Sequence, residues 1–232
     1  MAYRYAIYFS PQNTPLSRFG ARVLGVDVHR GTQVEQFVLA SLPTDRMFEI
    51  TQTARGYGFH ATLKAPFRIA EGASDADLLE AFSAFCDHHA AADLPGLTVQ
   101  NVRGYLAIVP SHQTSNLRSL ERAIVVEFDR FRAPMNEQER AKRNPESLSE
   151  RQLQHLDIFG YPFVMDDFFF HMTLSNRIGG QPFEMMLHAE MQDQFEKSVP
   201  KPDVRLDSLS LVAQPEPDEP FQVIQTRALA GA

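Results

Sequence analysis

Two stretches of the chain, "FHATLK" from Phe59 and "FHMTLS" from Phe170, share the pattern Phe-His-X-Thr-Leu at a separation of 111 residues. Each sits in a run that alternates between apolar and polar residues. In the first, Phe59, Ala61, Leu63 and Ala65 alternate with His60, Thr62 and Lys64; in the second, Phe170, Met172 and Leu174 alternate with His171, Thr173 and Ser175. A period of two predicts a strand with one face in a core and one face open. Two such strands, each with a helix pattern and two more strand patterns after it, constrain the fold strongly. They predict an α+β protein of two pseudo-symmetric lobes, each an antiparallel sheet with flanking helices, and an active-site cleft between them. Residues 1–232 read as one bilobal domain, since 232 residues that are 44% hydrophobic can bury a substantial core.

The remaining elements follow from local signals. "YRYAIYFSP" reads as a strand stopped by Pro11. Thr14 and Pro15 open a helix, and a second helix is predicted from about Thr44 to Ala54. Ser74 caps another, with Asp77 in capping-box position. "LTVQNVRGYLAIVP" gives one or two strands broken near Gly104, and "SNLRSLERAIVVEFDRFR" a helix. The charged segment at about 133–157 reads as two helical pieces divided at Pro145. "PFEMMLHAEMQDQFEKS" is a helix, and "VRLDSLSLVAQ" and "FQVIQTRAL" a closing pair of strands.

In a strand, residues two apart project from one face, roughly 7 Å apart. Each motif therefore presents an imidazole and a hydroxyl side by side. Two imidazoles and two hydroxyls facing each other across a cleft suit phosphodiester cleavage. Imidazole, with an ordinary pKa of about 6.5, gives or takes a proton near neutrality. One histidine can deprotonate an attacking water while the other protonates the departing oxygen. Threonine hydroxyls can donate to the non-bridging oxygens, where negative charge gathers. The scheme requires no metal and no cofactor. One His-X-Thr alone would be a weak signal; two with the same flanking Phe and Leu are a stronger one. A zinc site is the competing reading. Asp166 or Asp167 could add a ligand, but neither motif has a close His or Cys companion, and catalytic zinc normally takes three protein ligands.

The two motifs resemble the signature of the two-histidine (2H) phosphoesterase superfamily. "YAIYFSP" and "RQLQHLDIFGYPFVMDDFFFHMTLS" extend the resemblance over nearly the whole chain, toward the subgroup associated with bacterial phosphonate metabolism; Phe159 stands where that subgroup has Trp. The resemblance implies a metal-independent phosphodiesterase, with His60 and His171 as the acid–base pair and Thr62 and Thr173 on the phosphoryl oxygens. It also implies a small cyclic or linear phosphodiester as substrate, with a ribose cyclic phosphate as one candidate. Superfamily members also act on RNA ends, so an RNA 2′,3′-cyclic phosphate enzyme is an alternative. A non-catalytic protein that binds a phosphate or phosphonate ligand is another.

Further candidates for substrate contact are Lys64 and Ser175 at the ends of the polar faces, where a solvated strand end fits equally well. Tyr8 and Tyr105 could form an aromatic platform, although a core tyrosine is the commoner outcome. Arg143 could clamp a terminal phosphate; Arg140, Arg55 and Arg177 are weaker candidates, and Tyr161 reads as a packed turn. A net charge of −7 argues against long duplex nucleic acid as a partner. Cys86, the single cysteine, lies at helical spacing and reads as a buried small side chain. The N-terminus has no signal-peptide pattern, and no apolar run approaches 18 residues, so a cytoplasmic protein without a membrane span is expected.

Overall fold

A computed structural model describes residues 3–217 and 219–231. The chain opens with β1 (Arg4–Phe9) and α1 (Pro15–Leu24), followed by the short strands β2 (Val26–Asp27) and β3 (Thr32–Gln33). Next come α2 (Thr44–Ile50), α3 (Gln52–Tyr57), β4 (Ala61–Phe67) and α4 (Asp75–His88). The middle holds β5 (Ala92–Leu94), β6 (Thr98–Val102), β7 (Tyr105–Val109) and α5 (Ser115–Glu127). Then α6 (Glu137–Ala141), α7 (Glu150–Phe159), β8 (Met172–Arg177) and α8 (Glu184–Ser198) lead to β9 (Val204–Leu206), β10 (Ser208–Gln214) and β11 (Gln222–Ala228). The α+β class with antiparallel sheets is as expected.

The capping signals act as the sequence indicates. The Thr14 hydroxyl accepts from the Ser17 amide, Pro15 fills the first turn, and Gly25 closes α1 in the left-handed region. Ser74 and Asp77 form a capping box at the start of α4. Two predicted elements are divided. The helix expected from Thr44 to Ala54 breaks at Thr51 into α2 and α3. The strand expected over "VRLDSLSLVAQ" breaks at Asp207, because its first part pairs with β5 and only its second part enters a larger sheet.

A four-stranded antiparallel sheet runs β11-β10-β1-β4, and a three-stranded one runs β6-β7-β8. The first motif leads into β4, the edge of one sheet, and the second into β8, the edge of the other. The hairpin that follows the first motif, β6-β7, pairs with β8. The hairpin that follows the second, β10-β11, joins the sheet of β4 through β1. Each sheet is thus completed by the other half of the chain, and β5 pairs with β9 between them.

One contiguous apolar cluster lies under both sheets. It takes in Phe59, Ala61 and Leu63 together with Phe170, Met172 and Leu174, all buried. Phe9 of β1 meets Phe170 with ring centroids 6.2 Å apart, so the first sheet touches the second motif directly. Cys86 is buried within the same cluster, and burial pushes its thiol up to about 12.

Gly20 of α1 fixes how closely the helix approaches the first motif. A Cβ there would lie 2.1 Å from the Phe59 ring. Gly20→Ala should therefore displace that ring, with an overpacking cost of roughly 1–3 kcal/mol. Thermal melting should show the loss, and Gly20→Ala combined with Phe59→Leu should recover part of it.

Candidate active site

The tyrosine of "YFSP" and the histidine of "GFHATL" meet first. Tyr8 on β1 lies opposite Thr62 on β4, and its ring stacks on His60 with centroids 3.9 Å apart and planes at 24°. The His60 Nδ1 lies 2.9 Å from the Gly58 carbonyl, and Nε2 lies 3.2 Å from the Thr62 hydroxyl. A carbonyl oxygen can only accept, so Nδ1 carries the proton of the neutral ring and Nε2 presents a lone pair. Gly58 makes this hold possible: its φ is 72°, and a Cβ there would lie 2.6 Å from Val28. The second motif repeats the device, with His171 Nδ1 2.8 Å from the Phe169 carbonyl. In both, the carbonyl two residues earlier takes Nδ1 and leaves Nε2 for chemistry.

The residues line a cleft in two compartments. One, of about 600 Å³, is lined by His60, Tyr8, Tyr57, Arg4, Arg143 and Arg177 among others. The other, of about 510 Å³, is lined by His171, Arg103, Phe163, Phe168 and Phe169 among others. Thr62, Thr173, Tyr105 and Tyr161 line both. The four motif residues are therefore brought together. None of the other six histidines lines either compartment. Burial holds the His60 imidazole down at about 4; the Gly58 carbonyl opposes this, and His171 adds to the depression. Burial keeps the Tyr8 phenol well above its ordinary range, so it remains a neutral ring against His60.

Two of the sequence-based candidates do not serve as expected. Lys64 does not line either compartment. The β1–β4 pairing shifts register between Tyr8↔Thr62 and Ile7↔Lys64. This bulge turns Leu63 and Lys64 in succession toward the core, so strict alternation fails after Thr62. The Lys64 ammonium donates to the Val125 carbonyl at 3.0 Å and to Asp129 at 3.2 Å. Ser175 lies at a larger irregularity in β7–β8, between Tyr105↔Arg177 and Ala107↔Thr173. It borders the cleft, but its hydroxyl accepts from the Leu106 amide at 3.0 Å and donates to the Asn176 carbonyl at 2.8 Å. Both motif strands show the same burial sequence over the first five residues after histidine, and each carries a register irregularity there.

Tyr8, Tyr105 and Arg143 line the cleft. Tyr161 lies there too, with Arg143 5.0 Å above its ring, instead of serving only as a packed turn. Arg140 pairs with Asp157 at 3.1 Å, and Arg55 braces the Leu24 carbonyl at 2.7 Å. Arg4, Tyr57 and Asn176 border the cleft and were not anticipated. Arg4 had a legible signal, since it shares a strand face with Tyr8. Asn176 accepts from the Thr53 amide at 3.1 Å and donates to the Glu49 carbonyl at 3.0 Å, which ties the two short helices to β8.

Similarity to known proteins adds a family. Residues 62–222 match the family described as "Protein of unknown function (DUF1045)". The chain belongs to this family. It is 32% identical over 221 residues to a Janthinobacterium sp. (strain Marseille) protein named Ribose 1,5-bisphosphate phosphokinase PhnN, covering 94% of this chain and 49% of that one. A Laribacter hongkongensis (strain HLHK9) protein of the same name is 28% identical over 223 residues, covering 95% and 50%. The chain thus spans about half the length of the curated relatives it matches. Two crystal structures overlap it along 99% of both chains. They are E. coli LigT complexed with 3′-AMP, at 10% identity and a TM-score of 0.42, and a phosphoesterase, at 12% and 0.45. At that level of overlap the fold stands on this chain's own sheets and registers.

Beneath the motif strand lies a buried ionic group. Burial lowers Lys64 to about 8, with Asp129 opposing. Burial raises Glu121 to about 8, while the Met165 amide, donating to its carboxylate, pulls the other way. A carboxyl raised in the folded state stabilises the fold least where the unfolded form has already ionised. Its contribution is intact below about pH 4.5 and is lost as pH rises to about 8. Glu121→Gln, which mimics the protonated acid, should gain melting temperature relative to the parent at pH 8.5 and little at pH 4.5. An equal effect at both values would remove this titration from the account.

Proposed function

We propose that the chain is a metal-independent phosphoesterase that opens a small cyclic phosphodiester, with a ribose cyclic phosphate as substrate. The observation that carries this reading is the paired hold on the imidazoles. Both Nδ1 atoms are bonded to the chain's own carbonyls, and both histidines line a cleft whose shared wall contains Thr62 and Thr173. A phosphoryl group seated between the threonines accepts hydrogen bonds from their hydroxyls on its non-bridging oxygens. His60, held neutral, takes a proton from the attacking water on Nε2. The water oxygen bonds to phosphorus, and one ester P–O bond breaks. His171 gives its Nε2 proton to the departing oxygen. Proton and charge balance within the pair, and no step requires a metal. Among the described residues, no group of three His, Cys, Asp or Glu side chains gathers to hold one.

The relatives support the ribose assignment. Their name, Ribose 1,5-bisphosphate phosphokinase, makes a phosphorylated ribose the species handled by proteins twice the length of this chain. Water opening a cyclic ester on ribose yields a ribose phosphate monoester of that class. The resemblance to the phosphonate-linked subgroup points to the same setting.

Screening turnover of ribose, nucleoside and RNA cyclic phosphates with EDTA present tests the proposal. Hydrolysis of the ribose esters should persist in EDTA, and His60→Ala and His171→Ala should each lower kcat roughly 10²–10⁴-fold. Full activity in either variant sinks the mechanism, and activity lost to EDTA and restored by zinc replaces it with a metal site. Tight binding with no turnover makes the protein a ligand sensor. Because His60 protonates near pH 4, the acidic limb of kcat/KM should lie well below the ordinary imidazole value.

A further inference from the structure

The two compartments that meet at Thr62 and Thr173 differ sharply in charge. The one on the His60 side is walled by Arg4, Arg143 and Arg177, and among the described residues its lining includes no Asp or Glu. This is a concentrated positive field in a chain of net charge −7. Among the described residues, no Asp or Glu forms an ion pair with Arg4, Arg143 or Arg177. Arg4 donates from Nε and Nη2 to the neutral Gln214 amide oxygen, at 2.9 and 2.7 Å, which sets its guanidinium without cancelling its charge. The acid whose field reaches Arg4, Glu139, is committed to Arg68 through bonds of 2.8 and 3.0 Å. Arg143 lies over the Tyr161 ring, while its helical neighbour Arg140 is taken by Asp157. Arg177 borders the cleft beside Gly104.

The compartment on the His171 side has a different character. Phe163, Phe168 and Phe169 line it, and Arg103 lies 5.1 Å above the Phe163 ring. Its carboxylate, Asp167, is occupied by Arg151 at 2.7 and 3.0 Å. One arm of the cleft is therefore cationic and the other aromatic.

A single phosphodiester carries one negative charge, and the threonines and imidazoles already receive it. Three arginines beyond that seat are surplus to the reaction unless the substrate brings a second anion. The geometry points to a sugar cyclic phosphodiester that carries a separate phosphomonoester, seated by Arg4 and Arg143 in the His60 compartment. Guanidinium groups suit this role because their paired N–H donors match phosphate oxygens. The inference rests on the phosphodiester reading above and specifies its substrate class. Arg4 and Arg143 are substrate-anchoring residues, and they select for the second charge without touching the breaking bond.

The test compares ribose 1,2-cyclic phosphate with the same ester bearing a 5-phosphate. The wild-type protein should prefer the second by about 10- to 100-fold in kcat/KM, as expected for charge-assisted hydrogen bonds. Arg4→Ala and Arg143→Ala should collapse that ratio toward one, chiefly through KM, and Arg143→Lys should keep an intermediate preference. Thermal melting confirms that each variant is folded. A wild-type ratio near one, or a ratio unmoved in both alanine variants, overturns the inference while leaving the phosphodiesterase intact. If neither ester turns over, the phosphodiester reading fails on its own. Calorimetry with a ribose bisphosphate against ribose 5-phosphate then reads the same arginines: tighter bisphosphate binding that weakens in Arg143→Ala supports the anion seat, and equal affinities overturn it.

Discussion

The hydrogen bond from each motif imidazole to the carbonyl two residues before it governs the rest of the site. A histidine on a strand end has a ring free to rotate about two bonds. Binding Nδ1 to Gly58 or Phe169 fixes the tautomer and aims Nε2 in one step. The hold is local, so it needs little from the surrounding fold. What it does need is a backbone that brings the carbonyl round. For His60 that backbone includes a left-handed residue packed against Val28, a place only glycine fills without strain. The stacked Tyr8 ring then removes water from one face of the imidazole.

Local holds would be of no use if the two histidines drifted apart. The exchanged hairpins prevent this. β6-β7 belongs to the chain after the first motif but supports the second, and β10-β11 does the reverse through β1. Neither sheet can form without chain from both halves. The apolar residues of both motifs also lie in one cluster, joined where Phe9 meets Phe170. Separation of the histidines would therefore require opening a shared core, and close packing resists that.

The sequence made the strands, the caps and the four motif residues readable because each depends on nearest neighbours along the chain. Thr14 with Pro15 and Ser74 with Asp77 announce helix starts by themselves. The alternation around His60 announces a strand with a polar face. It could not announce the bulge after Thr62, which arises from the pairing of β4 with β1, 52 or more residues away. One inserted residue turned Lys64 from the cleft to the core, and a register irregularity in β8 left Ser175 at the cleft border with its hydroxyl bonded to backbone. Arg4 escaped notice for a different reason. Its face was legible, but the cleft it serves is built by strands that the first ten residues do not reveal.

In the proposed mechanism, the electrostatics of the cleft link the base to its substrate. Burial and the second imidazole disfavour the His60 proton and outweigh the Gly58 carbonyl, which favours it. That suits a base that must be empty at the start. The same burial would make the imidazolium hard to form once the water has been deprotonated. An anionic substrate would remove the difficulty, because its negative charge favours the protonated ring as the reaction proceeds. A substrate with two phosphoryl groups does so more fully than one with a single charge. On the proposed reading, the arginines that hold a second phosphate place its charge in the compartment of the base, which raises the proton affinity of His60 after binding.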